Sequence, residues 1–178
     1  MKPTSFTRRS RHTGAAVAVS VLLLAVTGCS ENGRERAYTT PRSLCGTTVD
    51  SEELSKFLPP GEKVATKKTV DSSTATRCAV SVDGKRIVYT AQEWWNDMTG
   101  FEFAQGMTLD ELDHQTDDGH FAYSGNQAFG KTQDCRNGKD QVLYTAIQAT
   151  GSKHQDAAAM KKLITAYTRA VERSGACR

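Results

Sequence analysis

Between Arg77 and Thr90 apolar and polar residues alternate with period two, interrupted once by Asp83-Gly84. That dipeptide predicts a β-hairpin with a type I′ turn, because both central residues of such a turn need positive φ. A two-residue loop sets Val82 opposite Lys85, Val80 opposite Ile87 and Cys78 opposite Tyr89. Cys78, Val80, Val82, Ile87, Tyr89 and Ala91 then share one core-facing side. Residues 62–70 predict a Lys-rich edge strand. Phe121, Tyr123, Ala128 and Phe129 fall in short extended pieces. Asn137-Gly138 predicts a second hairpin turn ahead of a strand over 141–149. Elsewhere the period changes to that of a helix. Asp50 and Glu53 form a capping pattern before Leu54, Phe57 and Leu58, and Pro59-Pro60 stops the helix. Thr108-Leu109-Asp110-Glu111 predicts a second short helix. Ser152-Lys153-His154-Gln155 predicts the cap of the longest one, which runs to about residue 174 with Met160, Leu163, Ile164, Tyr167, Ala170 and Val171 on one stripe and Gly175 at its C′ position. The fold class expected is α+β: an antiparallel sheet of β-hairpins packed against a long C-terminal helix. The segments around Tyr89 and Tyr144 read alike, each with a cysteine shortly before and a capped helix upstream, so a pseudo-duplicated helix–hairpin unit is also expected.

The N-terminal pattern is different. Lys2, Arg8, Arg9 and Arg11 precede twelve apolar residues, 15–26, broken only by Ser20. Twelve helical residues span roughly 18 Å, short of a hydrocarbon core about 30 Å thick, and that length suits a signal-peptide h-region. Val26-Thr27-Gly28-Cys29 follows and resembles a bacterial lipobox. The resemblance implies cleavage between Gly28 and Cys29 and a covalent diacylglycerol on the Cys29 sulfur. Two acyl chains hold a protein on a bilayer where one does not. The chain is therefore expected at the outer face of the cytoplasmic membrane, lipid-anchored and extracytoplasmic. Residues 1–28 form the signal peptide, 29–44 the lipidated cysteine and a flexible tether, and 45–178 a single domain.

The composition fits one ordinary soluble domain: of 178 residues, 38% are hydrophobic and 24% charged. The formal charge of +3 misleads, because four of the 23 basic residues precede Cys29 and no acid does, which leaves 19 basic against 20 acidic. A nucleic-acid partner is not expected. Setting Cys29 aside leaves Cys45, Cys78, Cys135 and Cys177. An exported chain keeps disulfides, and four cysteines allow three connectivities. Cys45–Cys78 with Cys135–Cys177 is favoured, since each pair joins a helix-flanking cysteine to a neighbouring strand. The other pairings, free thiols and zinc stay open, zinc without CxxC spacing to support it.

Cys45-Gly46-Thr47, Phe57-Leu58-Pro59-Pro60-Gly61, the run Arg77 to Gly84 and the terminal Gly175-Ala176-Cys177 together resemble small secreted lipoproteins of high-GC actinobacteria. That resemblance implies the location and a two-disulfide α+β domain. It implies no activity, cofactor or catalytic residue.

Candidate chemistry concentrates in one stretch. Residues 87–130 hold no Lys or Arg but eight acids: Glu93, Asp97, Glu102, Asp110, Glu111, Asp113, Asp117 and Asp118. Such a surface suits a cationic ligand, a peptide or another exported protein. Trp94, Trp95, Phe101 and Phe103 lie beside it and are candidate binding residues with Asp113, His114, Asp117, Asp118 and His120. The two histidines and nearby carboxylates are also the ligand types of zinc or copper, at a spacing that matches no metal motif, so no metal is assigned. No Gly-x-Ser-x-Gly or phosphate loop occurs, and two bridges would leave no cysteine as nucleophile. The function expected is a binding or sensory accessory module, not an enzyme. The alternatives are a small secreted hydrolytic or metal-dependent enzyme using the segment from His114 to His120, and an inhibitor-like or scaffold protein.

Overall fold

The computed structural model describes residues 36–177. A two-stranded ribbon, β1 (Ser43–Leu44) with β2 (Thr47–Thr48), opens the fold, followed by helix α1 (Ser51–Phe57). The strands β3 (Val64–Asp71), β4 (Ala75–Val82) and β5 (Lys85–Trp95) come next, then helix α2 (Gly100–Met107). The chain continues through β6 (His114–Gln115), β7 (Phe121–Tyr123), β8 (Gln127–Arg136) and β9 (Val142–Gln148) to helix α3 (Ala157–Glu172). Seven strands form one antiparallel sheet in the order β3-β4-β5-β9-β8-β7-β6. The α+β fold and both expected disulfides are present: Cys45–Cys78 and Cys135–Cys177, with Cα atoms 5.9 and 5.2 Å apart.

Local chemistry accounts for most elements. The Asp50 carboxylate accepts from the Glu52 and Glu53 amides and caps α1, which buries Leu54 and Phe57. Asp83 and Gly84 sit at φ 50° and 80°, as a type I′ turn requires, and Val82 pairs with Lys85 as expected. Beyond that turn the register departs from the simple expectation. Ser81 pairs with Arg86 but Val80 pairs with Val88, so Ile87 is an extra residue on β5. This bulge inverts the parity of everything after it. Val88, Thr90 and Gln92 turn toward α3, where Gln92 Nε2 donates to Tyr167 Oη at 3.0 Å. Tyr89 and Ala91 turn to the opposite face and pack with Phe103 of α2. The expectation that they share a face with Cys78 and Val80 is corrected accordingly. Glu93 and Trp95 follow Ala91 to the α2 face. Buried Glu93 is accommodated there by Arg77, 2.6 Å away.

Both faces of the sheet are therefore covered. Leu143 and Ile147 of β9 face a core built with α1 and α3. The alternate residues Val142, Tyr144 and Ala146 face a second core under α2. The β4–β5 and β8–β9 hairpins meet at the β5–β9 pair, a symmetry confined to these four strands, since β3 alone lies beyond β4 while β7 and β6 lie beyond β8. The helices break that symmetry, since α1 and α2 lie on opposite faces. Gly130 on β8 lets α3 approach closely. A Cβ there would lie 2.5 Å from Thr168 Oγ1 and 2.8 Å from Thr145 Oγ1, the two hydroxyls that share a buried hydrogen bond.

Four other expectations change. Residues 36–44 are not tether: Arg36 donates to the Leu58 carbonyl at 2.6 Å, the Ala37 amide to the Gly61 carbonyl at 2.9 Å, and Leu44 is buried. Helix α3 is capped by Asp156, which accepts from the Ala159 amide, while Ser152 only turns the preceding loop. Gly175 opens a 3-10 turn, Gly175–Cys177, after the C-cap Arg173 and has no positive φ. The β8–β9 connection is five residues long, 137–141, with the left-handed position at Asp140 and not at Gly138.

Candidate functional site

The largest correction falls within the acidic stretch. The Thr108–Glu111 pattern starts no helix. Thr108 instead ends α2 as its C-cap, its amide donating to the Ala104 carbonyl. The operative capping box lies nine residues earlier in the chain: Thr99 Oγ1 accepts from the Glu102 amide at 3.1 Å, and Glu102 Oε2 accepts from the Thr99 amide at 2.8 Å. The Thr99 amide and the Thr99 hydroxyl both donate to Glu102 Oε2 and hold the Glu102 carboxyl below its ordinary pKa. Tyr144 fastens the entry to the helix, with its Oη accepting from the Met98 amide and donating to the Met98 carbonyl. Asp97, just before, bridges Lys131 and Arg136 and is held below the usual carboxylate range by those two cations.

Because α2 ends at Met107, residues 108–113 cross the surface without regular structure. Asp110 pins the loop, accepting from Gln127 Nε2 at 2.5 Å. Leu109 is left fully exposed. Beside it is a groove of about 450 Å³ lined by Phe101, Ala104, Gln105, Leu112 and the carboxylates Asp110, Glu111 and Asp113. That volume is within the usual range for small-ligand sites, about 300–1,000 Å³. Among the described residues neither Glu111 nor Asp113 has an ion pair.

The candidate binding residues do not form one patch. Trp94 and Trp95 occupy opposite faces of the sheet, both half-buried. Trp94 packs against the α3-side core. Trp95 meets Phe103 edge-on at 5.5 Å and donates from Nε1 to Glu93. Phe103 is wholly buried, stacked on Tyr144 at 4.7 Å, so its place is in the core and not on a binding surface. Phe101 and Asp113 do line the groove. His114 stacks on Tyr123 at the sheet edge, 5.1 Å between rings, near Lys161. Asp117 and Asp118 border a separate depression with Lys161. Asp118 accepts from the Thr116 hydroxyl and the His120 amide, which lower its pKa. His120 faces a third depression with Lys131 and Arg136. Among the described residues no group of three His, Cys, Asp or Glu side chains is placed to hold a metal ion. Gly28 and Cys29 lie outside the described residues.

Leu109 and Leu112 were the residues that sequence reading passed over. Reading Thr108 as a helix start gave Leu109 an ordinary place in a first turn. The available signal was the earlier Thr-x-x-Glu at 99–102. Comparisons with protein-family models, with curated proteins and with solved structures find no match for this chain.

Proposed function

We propose that the chain is a lipid-anchored extracytoplasmic binding module, held to the outer face of the cytoplasmic membrane through Cys29, whose groove after α2 takes a cationic, partly apolar segment of a peptide or exported protein. The observation that carries this reading is a fully exposed Leu109 set among Asp110, Glu111 and Asp113 over half-buried Phe101 and Leu112. An exposed apolar anchor ringed by uncompensated carboxylates is unfavourable for an isolated surface and complementary to a segment that alternates basic and apolar residues. The absence of Lys and Arg from 87–130 supports it, because no cation within that stretch competes for the carboxylates.

The test is binding of a fluorescent peptide of alternating lysine and leucine to the full lipidated chain in detergent. Leu109→Ser combined with Glu111→Gln is expected to weaken binding by about fivefold or more, the scale of interface residues that cost above about 1 kcal/mol on truncation. Trp94→Ala, on the other face of the sheet, is expected to leave it unchanged. Equal affinity in the wild type and the Leu109→Ser/Glu111→Gln variant would overturn the reading.

A further inference from the structure

A second groove, sharing no residue with the first, has the opposite charge. It is about 540 Å³ in volume and lies between the end of α1, the Asp83-Gly84 turn and the loop before α3. Leu58, Pro59, Val82 and Ile87 give it apolar walls, and Lys85, Lys153 and His154 stand exposed at its rim. Lys56 also borders it but is paired with Glu53 at 2.7 Å. The one carboxylate present, Asp83, accepts from the Glu62 and Lys63 amides. Lys85 and Lys153 have no ion pair among the described residues.

The chain's N-terminal side reaches the domain at this same place. Arg36 donates to the carbonyls of Ser55 and Leu58, and Tyr38 to that of Pro59, so the incoming segment is fastened to the groove's own wall. Six residues lie between Cys29 and Arg36, so seven Cα–Cα steps join them. Fully extended they reach at most about 25 Å. A lipid on Cys29 therefore keeps this end of the domain within about one bilayer leaflet and headgroup layer of the surface.

We infer that this cationic groove is the face the domain turns to the membrane, and that Lys85 and Lys153 engage anionic phospholipid headgroups of the bilayer to which the chain is anchored. The inference rests on the anchor reading in the proposed function and adds an orientation to it. Basic residues near an anionic leaflet are attracted to it until salt screens them. Apolar walls behind the lysines suit the boundary between headgroup and acyl chain.

Mature chain added from detergent to preformed vesicles, of phosphatidylcholine alone or with phosphatidylglycerol, tests this by the rate at which each lysine is acetylated, read by mass spectrometry. Lys85 and Lys153 are expected to react about fivefold more slowly on anionic than on neutral vesicles, and high salt is expected to abolish the difference. Lys139, in the 137–141 loop, should react alike on both. Equal rates at Lys85 and Lys153 on the two vesicles would overturn the inference, as would protection of Lys139 in their place. Protection by soluble dodecanoate with none from vesicles would also overturn it and make the groove a small-ligand cleft. The anchor has its own readout: a chain lacking the diacylglyceryl mass that does not float with neutral vesicles refutes the lipidation. The docking face is then judged by whether that chain floats with anionic vesicles, which supports it, or does not, which ends it.

Discussion

Asp97 shows how single residues hold the acidic stretch in place. It is exposed, yet it accepts from both Lys131 and Arg136 on β8 and so ties the segment leading into α2 to the sheet. Those bonds depress its pKa. A carboxylate whose folded pKa lies below its unfolded value, about 3.9, stabilises the fold fully above that value and loses its effect as pH falls through the folded one. Asp97→Asn is therefore expected to be less stable than wild type at neutral pH and to converge with it in acid, as pH falls through the lowered folded-state pKa of Asp97. Denaturant midpoints followed by tryptophan fluorescence across pH check this, and a pH-independent gap would contradict it. Added salt should narrow the gap, because the pairs are at the surface. Glu102, depressed by hydrogen bonds from Thr99, acts in the same direction and is untouched by the substitution.

Helix α2 is the element on which the acidic groove depends, and its start is set by one reciprocal cap. Thr99→Ala removes the hydroxyl that accepts from the Glu102 amide and is expected to cost about 1 kcal/mol, whereas Thr99→Ser should restore most of it. Urea midpoints of the three proteins give the comparison; identical midpoints would show that the Tyr144–Met98 clasp holds the helix unaided. The same element marks where sequence reasoning stopped. Thr99-x-x-Glu102 and Thr108-x-x-Glu111 are equal as patterns, and only packing separates them: Phe103 and Ala104 find a buried place against β8 and β9, while Leu109 finds none. The hairpin at Asp83-Gly84, the apolar stripe of α3 and the cap of α1 were legible because each is decided by neighbours in the chain. The bulge at Ile87 was not, since it is set by how β4 and β9 fit the two sides of β5. One inserted residue sufficed to move Tyr89, Ala91 and Trp95 to the face that α2 covers. The separation of Trp94 from the acidic residues follows from the same pairing, and no spacing along 94–120 encodes it.

At the scale of the whole molecule, the two disulfides bind the peripheral pieces to a sheet whose centre is secured by packing on both faces. Cys45–Cys78 fastens the β1–β2 ribbon to β4, and Cys135–Cys177 fastens the end of the chain to β8. They close 33 and 42 residues of sequence separation. Restricting the unfolded chain over such lengths contributes roughly 4 kcal/mol each in the loop-entropy account. Domains of this size are stable by only about 5–15 kcal/mol, so losing either bridge is a large fraction of the total. The two losses should nonetheless differ in kind. Helix α3 presses Met160, Leu163, Ile164 and Tyr167 into the core regardless of its terminal bridge. Cys135→Ala with Cys177→Ala is therefore expected to lower the urea midpoint and speed amide exchange after Glu172, while β5 and β9 stay protected. Cys45→Ala with Cys78→Ala should instead loosen residues 36–48, the segment whose Arg36 and Tyr38 bond to the Leu58 and Pro59 carbonyls at the wall of the cationic groove. If hydrogen exchange showed the two double variants loosening the same region, the bridges would be acting on the sheet as a whole and not as separate fastenings of its two flanks.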